Sequence, residues 1–84
     1  MKHPLLRLKW FTNATRARLN PHGIWLPVHL GPASWSGLER TKIMLEKGTI
    51  AVQVGEYRPR ARERVYLAGG MLVILEDREL EHAK

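Results

Sequence analysis

From Thr41 to Glu76 the chain runs through two stretches rich in alternating and β-branched residues, and each bends at glycine. The first, Thr41-Lys-Ile-Met-Leu-Glu-Lys-Gly48-Thr-Ile-Ala-Val-Gln-Val54, bends at Gly48. The second, Arg64-Val-Tyr-Leu-Ala-Gly69-Gly70-Met-Leu-Val-Ile-Leu-Glu76, bends at Gly69-Gly70. Such side chains suit a pleated surface, and glycine reaches positive φ without the clash that a Cβ brings. The pattern predicts two antiparallel hairpins laid end to end. The fold class it predicts is all-β: a small antiparallel roll or barrel of six or seven strands, one domain over residues 1–84 with a charged tail from about residue 77.

The first half extends that reading. Leu6, Leu8 and Trp10 alternate with Arg7 and Lys9, and Thr15, Ala17 and Leu19 alternate with Arg16 and Arg18, so two half-buried strands are predicted with a turn at Thr12-Asn13-Ala14. Asn20-Pro21-His22-Gly23 has the residue preferences of a type I turn. Ile24 to Leu30 resumes as a strand, and Pro27, which cannot donate to a ladder, assigns it to an edge or a bulge. Gly31 to Gly37 is a loop. Ser36-Gly-Leu-Glu39 matches a capping box for a rival helix from Leu38 to Lys47; strand is preferred over 41–46 because Ile43 and Leu45 share a face opposite Lys42 and Glu46. Arg58 to Arg64 is a charged connection interrupted by Pro59, and Met71 to Leu75, apolar throughout, is a strand buried on both faces. The tail from Asp77 is expected to fray or to form a single helical turn.

At 84 residues the core is small, and unpaired strand edges lead to the expectation of a homodimer. Cysteine is absent, which excludes disulfides and thiolate metal sites and suits a cytoplasmic protein. Arg7 and Lys9 interrupt the apolar start, and Pro21, Pro27 and Pro32 break the longest uncharged stretch, so no membrane segment is expected. Net charge is +6 and unevenly spread: residues 1–42 hold seven Lys or Arg against Glu39 alone, while residues 43–84 hold seven of each sign. A basic half of this kind suits a polyanion, because each neutralised phosphate releases counterions.

Catalytic signatures are missing. Ser34 and Ser36 lack a nucleophile elbow, and Glu76 and Asp77, adjacent in an extended chain, point to opposite faces. No catalytic residue is assigned, and a binding module is favoured over an enzyme. Among the histidines, His22, His29 and His82 with Glu39 are the donor types for a divalent metal such as zinc, iron or manganese, though without a ligand spacing; the plainer reading makes His22 a turn residue and His82 a tail residue. Arg16 and Arg18 share a strand face and, with Arg7 and Lys9 on a neighbouring strand, would form a basic patch. Trp10, Phe11, Trp25 and Trp35 would offer stacking surfaces to bases; the plainer expectation is that these aromatics fill the core.

Two family resemblances add to this. Pro21-His-Gly23-Ile-Trp-Leu-Pro27-Val-His29-Leu-Gly31, then Ile43 to Val54, then Val65 to Ile74 and His82, resemble in order a minimal cupin. Gly23 and His29 match the spacing of that family's first motif, Glu39 and Gly48 stand for its later Glu and Gly, and His82 for its final ligand, whereas Gly31 occupies the place of a second histidine. The resemblance implies a barrel that holds a small ligand. Trp25, Trp35, Ile43, Val52 and Ile74 would line it and His29 would orient the ligand. Ala17 to Leu30 followed by Thr41 to Val52 also resembles the swapped-hairpin DNA-binding domain of the AbrB and MazE type. That resemblance implies a dimeric transcriptional regulator or antitoxin contacting DNA through Arg16, Arg18 and Arg40. A non-catalytic small-molecule-binding module is the leading expectation, and the DNA-binding regulator is the alternative.

Overall fold

The structure, a computed structural model, describes residues 4–28 and 42–83. Within them lie eight strands: β1 (Leu6–Leu8), β2 (Thr12–Leu19), β3 (Trp25–Pro27), β4 (Lys42–Leu45), β5 (Ile50–Arg58), β6 (Glu63–Ala68), β7 (Met71–Glu76) and β8 (Leu80–His82). They form one open antiparallel sheet in the order β3-β2-β7-β6-β5-β1-β8, with β4 paired to the first half of β2. The all-β class is as expected, with eight strands in place of six or seven and no closed barrel. Among the described residues no helix is long and apolar enough to cross a membrane.

Alternation along β6 and β7 divides the packing between two faces. Tyr66, Ala68, Val73 and Leu75 point inward and join Leu8, Ala14, Leu45, Ala51 and Leu80 in the main core. Val65 and Ile74 point outward and pack with Ala17, Trp25, Tyr57 and Leu72. Val73, Ile74 and Leu75 are therefore buried on both sides between β2 and β6, as the uninterrupted apolar run predicts, while Met71 at the turn is exposed.

The second hairpin forms as read. Ala68 pairs with Met71 across Gly69 and Gly70, whose φ values of +60° and +78° give the doubly left-handed turn that matches strand twist. Nothing lies within 4 Å of a Cβ built on Gly70, so only backbone strain opposes a side chain there. Gly70→Val is expected to lower stability by about 1–2 kcal/mol in chemical denaturation.

The first hairpin does not form. β4 pairs with β2, and β5 pairs with β1 and β6. Gly48, at φ +88°, turns the chain between them, but its N–H donates to the Leu8 carbonyl at 2.9 Å, and the Leu8 N–H donates to the Thr49 carbonyl at 3.0 Å. The turn is thus stitched to β1 and becomes a corner. Strand is nevertheless correct for 42–45 against the rival helix, while the capping box and the Gly31–Gly37 loop lie outside the described residues.

Three further boundaries differ from the sequence reading. β1 ends at Leu8, the bend falls at Lys9 to Phe11, and Thr12 to Ala14, read as a turn, opens β2. The Thr12 hydroxyl donates to the Trp10 carbonyl at 3.2 Å, closing that bend. Arg58, read as connection, ends β5, and a 3-10 turn, Pro59–Ala61, reverses the chain. The tail makes a 3-10 turn, Asp77–Glu79, with a Glu76/Glu79 capping box, and then β8, where buried Leu80 pairs with Leu8 and His82 with Leu6. One apolar residue in a charged segment is enough to dock it on the core edge.

Pro27 sits on edge strand β3, opposite Ala17, as its missing N–H requires. The Asn20 to Gly23 turn also forms: Asn20 Oδ1 accepts the N–H groups of His22 and Ile24 at 2.9 Å each, and the Gly23 N–H donates to the Asn20 carbonyl at 3.0 Å. That turn lays the Trp25 ring against β5 at Gly55.

Candidate functional site

The charges sort themselves by pairing. Arg7 binds Glu81 at 2.6 Å, Arg78 binds Glu76 at 3.3 Å, Arg64 binds Glu56 at 3.2 Å and also Asp77, and Arg58 approaches Glu63 at 4.0 Å. Glu79 is occupied by the Glu76 N–H at 2.9 Å. Asp77 first, then Glu56, hold the Arg64 guanidinium even more firmly protonated than usual. Among the described residues, Glu46 is the one acid whose side chain bonds no described partner, and Lys9, Arg16, Arg18, Lys42, Lys47, Arg60 and Arg62 form no ion pair with a described acid. Local pairing engages every described acid but Glu46 and leaves the described surplus of positive charge displayed.

Arg16 and Arg18 form the sharpest part of that display. They share the parity of Ala14 and so stand on the same face of β2, Arg16 opposite the buried Val73, and both are exposed. Being two residues apart on one strand, they stand roughly 7 Å from one another. The expected partners are not on a neighbouring strand: β7, β6 and β5 separate β2 from β1 in the sheet. Arg7 is engaged by Glu81, and the Lys9 ammonium lies 5.8 Å from the centre of the Trp10 ring. Arg40 lies outside the described residues.

The residues expected to line a cavity are divided between the faces. Ile43 points into the core, whereas Trp25, Val52 and Ile74 lie on the outer face; His29 and Trp35 fall outside the described residues. A cleft of about 280 Å³ on the inner face lies between Pro4, Leu6, Tyr66, Asp77, Leu80, Glu81 and His82. His82 thus borders it, but its candidate co-ligands His29 and Glu39 lie outside the described residues, within which no group of three or more His, Cys, Asp or Glu is arranged to hold a metal. Tyr66, Asp77 and Arg64 had carried no functional signal in the sequence, since a Tyr on an inward strand position reads as core.

Burial, reinforced by Asp77, raises the Tyr66 phenol above its ordinary value of 10.0. A raised acid favours the protonated folded state, so this stability is complete below about pH 10 and is lost as pH climbs through the folded value, where the unfolded chain holds fewer protons. Denaturation midpoints between about pH 8 and 11 are expected to fall more steeply for the parent than for Tyr66→Phe.

The alternation that suggested a strand through Trp10 also implied burial, yet Trp10 and Phe11 are 46% and 55% exposed in the bend before β2. The Arg58-Pro-Arg-Ala-Arg62 cluster was visible as charge, but not as a fixed turn whose Arg60 and Arg62 pair with no described acid. No protein-family model, curated protein or solved structure matches the chain.

Proposed function

We propose that this chain is a non-catalytic β-roll module that binds a polyanion, nucleic acid by class, through the exposed end of β2. One observation carries the reading: the described acids are almost all engaged in local pairs, while Arg16 and Arg18 project side by side with no described acid within ion-pair distance. Two guanidiniums in that setting offer their donors to phosphate oxygens without first breaking an internal bond. A net charge of +6 adds long-range attraction. Arg16 and Arg18 are two of the three contacts, with Arg40, implied by the AbrB and MazE resemblance, whose dimer is part of this proposal. The test is a DNA titration at two salt concentrations with the parent and the Arg16→Ala/Arg18→Ala double variant.

A second reading, closer to the cupin-like expectation, is favoured by the end cleft. There Tyr66, Asp77 and His82 converge over apolar walls from Leu6 and Leu80, a small version of a ligand pocket. It requires no salt-sensitive DNA binding, so the same titration separates the two.

A further inference from the structure

We propose that the preferred partner is single-stranded nucleic acid, with bases stacking on Trp10 and Phe11 while Arg60 and Arg62 hold adjoining phosphates. This rests on the polyanion reading and narrows its partner class.

Trp10 and Phe11 are adjacent and about half exposed at a bend, beside a lysine whose ammonium lies 5.8 Å from the Trp10 ring centre. Large exposed rings next to cations are what an unpaired base and its phosphate require, whereas bases in a duplex keep their faces covered. Two hydrogen bonds bring the arginine turn to the same end of the molecule. The Lys9 N–H donates to the Glu79 carbonyl at 2.9 Å, and the Asp77 N–H donates to the Arg62 carbonyl at 3.1 Å. Only the Asp77–Glu79 turn separates these anchors, so the backbones of Lys9 and Arg62 lie within roughly 15 Å of one another.

The turn itself points to a role for its side chains. Arg62 has φ +59°, the one described non-glycine residue in the left-handed region, and its N–H donates to the Pro59 carbonyl at 3.0 Å. Glycine would take that conformation with less strain, and strain kept in place of glycine is a reason to look for work done by the side chain. Pro59 limits φ at the start of the turn, so Arg60 and Arg62 are presented on a stiff support.

The experiment titrates the full chain with an oligo-dT strand, a DNA duplex of equal length and heparin at one low salt concentration, reading anisotropy and tryptophan fluorescence. Oligo-dT is expected to bind more tightly than the duplex and to quench fluorescence, which base-free heparin does not. Trp10→Ala/Phe11→Ala is expected to weaken oligo-dT binding about tenfold to a hundredfold and to leave duplex and heparin binding within about twofold. Arg62→Gly is expected to weaken oligo-dT binding while keeping or raising the thermal midpoint, which rules out misfolding as the cause. A preference for duplex, equal quenching by heparin, or unchanged oligo-dT affinity in Trp10→Ala/Phe11→Ala overturns the inference. If binding still depends on Arg16 and Arg18 in those cases, the polyanion reading stands without it. Absence of binding to all three probes removes both. An aromatic variant that alters only oligomeric state in sedimentation assigns these rings to self-association and also overturns the inference.

Discussion

DNA affinity is expected to fall about a thousandfold when monovalent salt rises from about 50 to 200 mM, if roughly six phosphates are contacted. The magnitude follows from counterion release: on duplex DNA the logarithmic slope is about −0.9 per phosphate neutralised, and on a single strand about −0.7. Lys9, Arg16, Arg18, Lys42, Lys47, Arg60 and Arg62, which pair with no described acid, supply enough cations for that number of contacts. Removing both β2 arginines should flatten the slope by about two units and weaken binding most at low salt. Arg7→Ala should leave the slope nearly unchanged, because that guanidinium is already held by Glu81 at 2.6 Å. Contacts to phosphate carry no sequence information, so affinity should vary little between scrambled sequences. A flat salt response, or no binding at low salt, would sink the polyanion reading and favour the end cleft.

Gly55→Val is expected to destabilise the chain by about 2–3 kcal/mol, lowering the thermal midpoint by about 10–20 °C. Gly55 lies at a register shift of β5 but outside the left-handed region, so the cost comes from packing. A Cβ there would sit 2.8 Å from Trp25 Cδ1 and closer still to the indole nitrogen. Trp25 has little freedom to withdraw, since it is paired with Leu19 at the edge of the sheet and packs on Val65 and Ile74. In a Trp25→Ala background the same glycine substitution should cost much less, and that coupling, measured as a double-mutant cycle, is the check. Additive costs would show that Trp25 does not rest on Gly55.

Period-2 alternation, the Asn-Pro-His-Gly and Gly-Gly turns and the edge position of Pro27 were all legible in the sequence, because each is set within a few residues by backbone sterics or by a missing donor. Alternation also predicted that Arg16 and Arg18 share a face, since residues two apart on a strand must do so. It did not reveal what else stands near them. Whether β4 pairs with β5 or with β2, and whether Arg7 lies beside Arg16 or across the sheet beside Glu81, depends on hydrogen bonds between distant segments such as Leu8 to Thr49. The same holds for Leu80, which turns a charged tail into a strand only because the edge of β1 is there to receive it. Local pattern determined the elements and the direction their side chains take. Tertiary structure decided their neighbours, and with them which charges are neutralised and which rings stay exposed, because pairing is chosen by burial and hydrogen bonding summed over the whole chain.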